Sequence, residues 1–559
     1  MKVILSTLFT LVLAVFGFAQ TKNNSWSASS SSANTVNSRI VTSTSQTYNL
    51  DLNSLQENLS MARSRELTDQ RTNHIISFPT ADGKVEAFRV VEASVMHPDL
   101  AAKYPGIKSY AGQGIDDPSA TIRFSLSDQA GFHGMILSGT KGISYIDPIN
   151  KNKNNYRVYA RKNIDNLVTK FQCLTDEEVN LPSLGNNGSY NMAQATDDKK
   201  LRKYRLAMSC TAEYGNIFAG SGTNAQKVAN ILAQMNITMT RVNGVYERDL
   251  AITMEIIANN DAIIYYGSTN SDPWTNEYNN KTQQTIDGII GDNNYDIGHN
   301  FNTTGGGSAG CIGCVCTSGS KGSGYTGRAN PTGDPFDIDY VAHEIGHQFG
   351  GYHTQSNSSC RSGSGATEVE PGSGSSIMAY AGICAANVQN NSDAYFNYVN
   401  IRDISANIQT GISSSCAQVI NLSNNAPTAN AGADYSIPRS TAFILRGQGS
   451  DPDGDAITYT WEQNDPENPN SNSAPSSTRT SGPLFRSLEG TTSPDRYMPR
   501  ISDVVSGNLT PTWEVVPSVA RNMEFALTVR DNKAGGGQTD DDLMRVTTVN
   551  VTPFTVSAP

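Results

Sequence analysis

The chain is expected to be multidomain, with a β-rich N-terminal region, a central α/β domain and an all-β C-terminal sandwich. Three observations predict this. A length of 559 residues exceeds what a single core fills. Composition changes at two polar stretches, one ending near residue 198 and one around Asn424-Asn425-Ala426-Pro427. Apolar spacing is strand-like in the first and last regions but takes on a helical period in the middle.

Residues 1–19 read as a secretory signal: Lys2, an apolar stretch from Val3 to Phe18, and small Gly17 and Ala19 before Gln20. The stretch is short and nothing comparable recurs, so a soluble, secreted, extracellular protein without a membrane span is expected. Residues 20–198 form the next unit. Thr21 to Gln46 is rich in Ser, Asn and Thr and is expected to be flexible. From Tyr48 to about Leu167 the chain turns strand-like, as in Ile75-Ile76-Ser77-Phe78 and Thr121-Ile122-Arg123-Phe124-Ser125. The polar stretch Gly185 to Asp198 leads into Lys199, Lys200, Arg202 and Lys203, which reads as an exposed linker open to proteolysis.

The central unit, 199–420, opens with the apolar run Tyr204-Arg205-Leu206-Ala207-Met208. A helix is expected over Asn224 to Val245 and a buried strand over Leu250 to Ala258. The glycine run Gly305 to Gly310 lacks the GK[ST] ending of a phosphate loop. Residues 421–559 carry strand runs such as Ala442-Phe443-Ile444-Leu445, Ile457-Thr458-Tyr459-Thr460-Trp461 and Phe525-Ala526-Leu527-Thr528-Val529. An Ig-like sandwich of seven strands and about 130 residues follows from them. The turn Ser450-Asp451-Pro452-Asp453-Gly454-Asp455 resembles that of PKD-like and cadherin-like sandwiches. Its three aspartates read equally as calcium ligands or as a tight solvated turn. A formal charge of -11 argues against nucleic acid and anionic membrane surfaces as partners. Oligomeric state has no signature in the sequence.

The chemistry concentrates at His343-Glu344-Ile345-Gly346-His347-Gln348-Phe349-Gly350-Gly351-Tyr352-His353. His343 and His347 are four apart and share one helix face. Gly350 permits a left-handed helix end that returns His353 as a third nitrogen ligand. Three ligands leave one position of a tetrahedral zinc open, the catalytic arrangement, with Glu344 beside the metal as base. HExxHxxGxxH is the metzincin signature, and three of the seven histidines satisfy it. His299 is expected to be a loop or packing histidine rather than a fourth ligand.

Ser376-Ile377-Met378-Ala379-Tyr380 resembles the Met-turn that metzincins place beneath the zinc, with Met378 as an apolar base. Tyr380 matches a position where astacins and serralysins carry a tyrosine near the metal. The resemblance implies an oxyanion-stabilising hydroxyl, with simple packing as the alternative. From about Lys203 to Cys416 the chain resembles the reprolysin-like, adamalysin-related metallopeptidases of secreted bacterial type. Two departures stand out: Thr354 follows the third histidine where adamalysins have aspartate, and adamalysins lack the tyrosine of position 380. The pappalysins are a neighbouring possibility. The resemblance implies that the strand before the zinc helix borders the cleft, where substrate pairs edge to edge, and Gly307 to Cys316 fall there.

Export makes the eight cysteines a disulfide framework first. Cys360 and Cys384 bracket the segment between helix and Met-turn. Relatives of this kind join the strand before the zinc helix to the domain's C-terminal part, which would pair Cys316 with Cys416. Cys311 pairs with Cys314 or stays reduced, and no second zinc site is expected. Cys173 is open between two roles, a latency ligand on the zinc or a disulfide partner of Cys210.

Two functions of different class compete. The first is a secreted zinc endopeptidase, made as a zymogen with residues 20–198 as prodomain, in which Glu344 activates a zinc-bound water. Its partners would be protein or peptide substrates. The second is a surface-binding or adhesive protein whose sandwich is the working part and whose metallo-domain is inert. The complete set of ligands and base favours the enzyme.

Overall fold

The computed structural model describes residues 25–29, 42–67, 73–164, 172–175, 195–269, 271–360, 367–467 and 473–554. The expected leader at 1–19 and residues 185–194 of the polar stretch lie outside them.

The N-terminal region is one antiparallel sheet of nine strands: β1 (Trp26–Ala28), β2 (Gln46–Leu50), β3 (Ile75–Pro79), β4 (Val85–Glu92), β5 (Ile107–Gly114), β6 (Thr121–Ser127), β7 (Gly131–Ser138), β8 (Gly142–Pro148) and β9 (Asn155–Ala160). Their order is β1-β2-β9-β8-β7-β6-β5-β4-β3, a meander from β3 to β9 closed by β2 and β1. Period-2 alternation sends Ile122, Phe124 and Phe132 to one face, where they meet Trp26, Phe78 and Tyr156. The opposite face is buried as well. Met135, Leu137, Tyr145 and Tyr159 join the core of the central domain, which explains why every residue of β6 is buried.

The central domain is built on a sheet ordered β10-β14-β15-β13-β11-β12, with β16 paired to β11. The strands are β10 (Gln172–Cys173), β11 (Lys200–Cys210), β12 (Ile252–Ile256), β13 (Ile297–Asn302), β14 (Gly306–Ser308), β15 (Gly324–Gly327) and β16 (Gln418–Asn421). β11, β12, β13 and β15 run parallel, while β14 runs antiparallel to β15. The basic run is part of this sheet: Lys200, Arg202 and Lys203 lie in β11, and Arg202 is buried. The reading of that run as an exposed linker is therefore corrected. Thr196, just before it, is also buried, and its backbone N–H is bonded to Thr539 Oγ1 at 3.0 Å.

The expected helix forms over Asn224–Asp249, one turn longer than its periodicity indicates. Thr223 and Gln226 cap it reciprocally, and Leu232, Met235, Met239 and Val242 press into the core. A second helix leads into the histidine motif through Asp334–Phe336 and a π turn at Asp337–Ala342, continuing as His343–Phe349.

The C-terminal region holds eight strands among the described residues, one more than expected. A four-stranded sheet orders β18 (Tyr435–Pro438), β24 (Thr539–Val549), β23 (Arg521–Arg530) and β21 (Thr458–Gln463). Two pairs join β17 (Thr428–Asn430) to β20 (Gln448–Ser450) and β19 (Phe443–Arg446) to β22 (Asp495–Met498). Leu445, Trp461, Phe485, Phe525 and Val546 share one core between them. No helix of the described residues is long and apolar enough to cross a membrane.

Candidate metal centre

The helix His343–Phe349 is wholly buried, so its two histidines leave water at a site other side chains must complete. It ends at Gly350, whose φ of 113° is a conformation that few residues but glycine adopt. The chain reverses there and brings His353 against the helix. The three Nε2 atoms converge: His343 to His353 is 3.1 Å, His347 to His353 is 3.1 Å and His347 to His343 is 3.2 Å. A tetrahedral ion about 2.05 Å from each nitrogen needs separations of about 3.3 Å, so the cluster fits zinc. Three lone pairs facing one another at this distance are otherwise unfavourable.

The outer nitrogens fix the tautomers. His343 Nδ1 donates to the Ile377 carbonyl and His347 Nδ1 to the Gly351 carbonyl, each at 2.7 Å. A carbonyl only accepts, so the proton sits on Nδ1 and each Nε2 turns its lone pair toward the point of convergence. Met378 lies under the helix. A Cβ at Gly346 would stand 2.5 Å from Met378 Sδ, so this glycine is what admits the methionine. The Tyr380 ring packs 4.6 Å from the His353 ring, and its hydroxyl donates to the Cys173 carbonyl at 3.5 Å.

Cys173 completes the cluster. Its Sγ is 3.7 Å from His347 Nε2, and the four donor atoms all lie within 4.8 Å of one another. The segment carrying it is β10, which pairs parallel with β14 at the sheet edge. Leu174 N–H donates to the Gly307 carbonyl at 2.8 Å. Close approach depends on Gly306, where a Cβ would stand 2.5 Å from the Gln172 carbonyl oxygen. Two residues on, Thr175 Oγ1 donates to Glu344 Oε2 at 3.0 Å and accepts from Ala309 N–H at 2.9 Å. Burial pushes Glu344 up to about 8. Burial, then the neighbouring Glu344 carboxylate, push the Cys173 thiol up as well. A dication held by the histidines would oppose both shifts, because it favours the anions.

Cys173 and Cys210 are both free, so the alternative bridge between them is absent. Cys210 is buried and donates weakly to the Tyr265 carbonyl. The other cysteines pair as Cys311–Cys314, Cys316–Cys416 and Cys360–Cys384. His299 sits in β13 rather than a loop, buried between Gln348 Oε1 at 2.9 Å and Thr326 Oγ1 at 2.8 Å, a packing role. Asp451, Asp453 and Asp455 converge, but the Lys533 ammonium already donates to both oxygens of Asp455, at 2.8 and 2.9 Å.

Two contacts at the site carry no signal in the sequence. Thr175 reaches Glu344 across 169 positions. Glu370 binds Thr354 Oγ1 at 2.7 Å and the Met-turn through Ser375 N–H at 2.8 Å.

Residues 201–408 match the model of metallo-peptidase family M12B, reprolysin-like. No curated protein and no solved structure matches the chain.

Proposed function

Residues 201–408 being a reprolysin-like domain of a zinc metalloendopeptidase family, we propose that this chain is a secreted endopeptidase made in a latent form. The observation that carries the peptidase reading is the convergence of His343, His347 and His353 on one point. Zinc at that point supplies Lewis-acid polarisation of the scissile carbonyl and acidification of the attacking water. The chain's own residues do the rest. Glu344 takes the water's proton and passes it to the leaving amine. The Tyr380 hydroxyl donates to the oxyanion as the carbonyl carbon becomes tetrahedral. Met378 and the two carbonyls behind the histidines keep the ligands oriented.

Latency is supported by what fills the cleft. Cys173 offers its sulfur to the same point as the histidines, where it excludes the attacking water. Thr175 occupies the base, its hydroxyl lying against Glu344. β10 covers the edge strand with which an extended substrate would pair. Residues 20–198 then act as a prodomain, 199–420 as the catalytic domain and 421–559 as an Ig-like module. The three disulfides suit an oxidising, extracellular setting.

The test is hydrolysis of casein by the processed protein, with and without chelator. Activity that chelation removes and zinc restores supports the reading. A zinc-loaded, processed protein that cleaves nothing, yet binds surfaces through residues 421–559, would favour the adhesive alternative.

A further inference from the structure

Glu370 is a carboxylate with 1% exposure whose side-chain hydrogen bonds, among the described residues, come from no cationic group, although the Arg486 guanidinium is near enough to sense its charge. Its partners are all neutral donors on two segments of the site. Oε1 accepts from Thr354 Oγ1 at 2.7 Å and from Ser376 Oγ. Oε2 accepts from Ser375 N–H at 2.8 Å, Ser375 Oγ at 3.3 Å and Ser376 N–H at 3.3 Å. A buried carboxylate is retained only where such a set of donors replaces its water.

The two segments so joined are those that set the histidines. Thr354 directly follows His353, and Glu370 N–H donates to the Thr354 carbonyl at 2.8 Å. Ser376 precedes Ile377, whose carbonyl receives His343 Nδ1–H at 2.7 Å, and Met378, whose carbonyl accepts from Thr354 N–H at 3.3 Å. One carboxylate therefore braces the residue beside the third histidine against the turn that orients the first. We propose that Glu370 is a positioning residue for the metal centre, holding His353 and the Met378 turn in the register at which the three nitrogens converge. This rests on the reading that the histidines hold zinc.

The geometry also says where the charge could be moved. Thr354 Oγ1 lies 3.3 Å from Ser376 Oγ as well as against Glu370, so a carboxylate at position 354 would reach donors that Glu370 now serves. Glu370→Gln keeps the volume but presents an amide to backbone N–H groups that need an acceptor. Glu370→Gln combined with Thr354→Asp returns one carboxylate to the same cluster.

Full-length protein, stripped of metal and reloaded, is titrated with zinc against a competing chelator, and the visible spectrum of the cobalt-loaded protein is recorded beside it. Glu370→Gln is expected to weaken zinc about ten- to hundredfold and to alter the cobalt spectrum, the range found when groups behind ligands are removed. The double variant should recover most of the affinity and the wild-type spectrum. If Glu370→Gln does not melt cooperatively, Thr354→Val decides the matter. It removes one hydroxyl beside His353 and should itself weaken zinc. Wild-type affinity in either decisive single variant, or a folded double variant no tighter than Glu370→Gln, overturns the proposal. A wild-type chain that takes up no zinc overturns the peptidase reading and this inference with it.

Discussion

Glu344 follows His343 on the helix, and a step of about 100° per residue turns its side chain away from the face the histidines share. In the structure it lies against Gly307 of β14 and meets Thr175. A carboxylate so placed accepts a proton rather than a metal bond. Glu344→Gln in the processed protein is therefore expected to lower peptide hydrolysis by about a hundredfold or more while zinc content, measured by metal analysis, stays at wild type. Tyr380 tests a different contribution. Its ring is buried against His353, so Tyr380→Phe preserves packing and removes only the hydroxyl. A fall in kcat of about a hundredfold with little change in KM is expected, because the hydroxyl acts on charge present only in the transition state. An unchanged kcat would leave Tyr380 as packing alone. At this scale the histidine motif was legible because helix periodicity is local, and so was Gly350, whose turn needs no distant partner. Thr175 was not legible, its partner lying 169 positions away, and neither was the reach of Glu370 back across 16 positions to Thr354, although its bonds to Ser375 and Ser376 are local.

Among elements, the proposed latency turns on β10 and the residues just after it. Cys173, at the end of β10, and the next two residues, Leu174 and Thr175, reach the histidine cluster, β14 and Glu344 in turn. Removing one engagement should leave the others. Cys173→Ala is expected to give the unprocessed chain partial peptidase activity, and adding Thr175→Val, which keeps shape and drops the hydroxyl, should raise it further. A fluorogenic peptide assay on intact protein, with processing excluded by gel, checks both steps. Full latency of the double variant would show that the strand alone blocks the cleft. The long helix was read to within a few residues at its C-terminal end because capping and periodicity agree over Asn224–Asp249. The basic run before it misled, since Arg202 is buried despite its charge and makes an ion pair with Asp198 at 2.5 Å. Charge alone does not place a residue outside when a partner is at hand.

Across the whole molecule, the N-terminal region is docked through buried and part-buried ion pairs that composition does not reveal. Arg161 pairs with Asp334 and Asp339 on the approach to the histidine helix. Asp147 meets Arg241 at 2.6 Å, and Arg65 meets Glu247 at 2.7 Å. Removing one member of such a pair strands its partner in low dielectric, at a cost of about 3–5 kcal/mol. Arg161→Ala should destabilise the unprocessed chain by about that amount in denaturant unfolding. Under the proposed processing, which removes residues 20–198, Arg161 leaves with them, so the variant's processed form should match wild type.

The bridge Cys316–Cys416 spans a sequence separation of 100, and that interval contains all three clustered histidines, Glu344, Met378 and Tyr380. The whole reactive apparatus thus lies within a covalent ring. A peptidase works in a crowd of its own copies, and its surface loops are substrates like any other. One cut in an ordinary loop makes two molecules of one; one cut inside a ring only linearises it, and both strands of the break stay tied. Limited digestion within this interval should therefore show a single band without reductant and two with it, and zinc should remain bound until the reductant is added. The ring makes the first wound survivable.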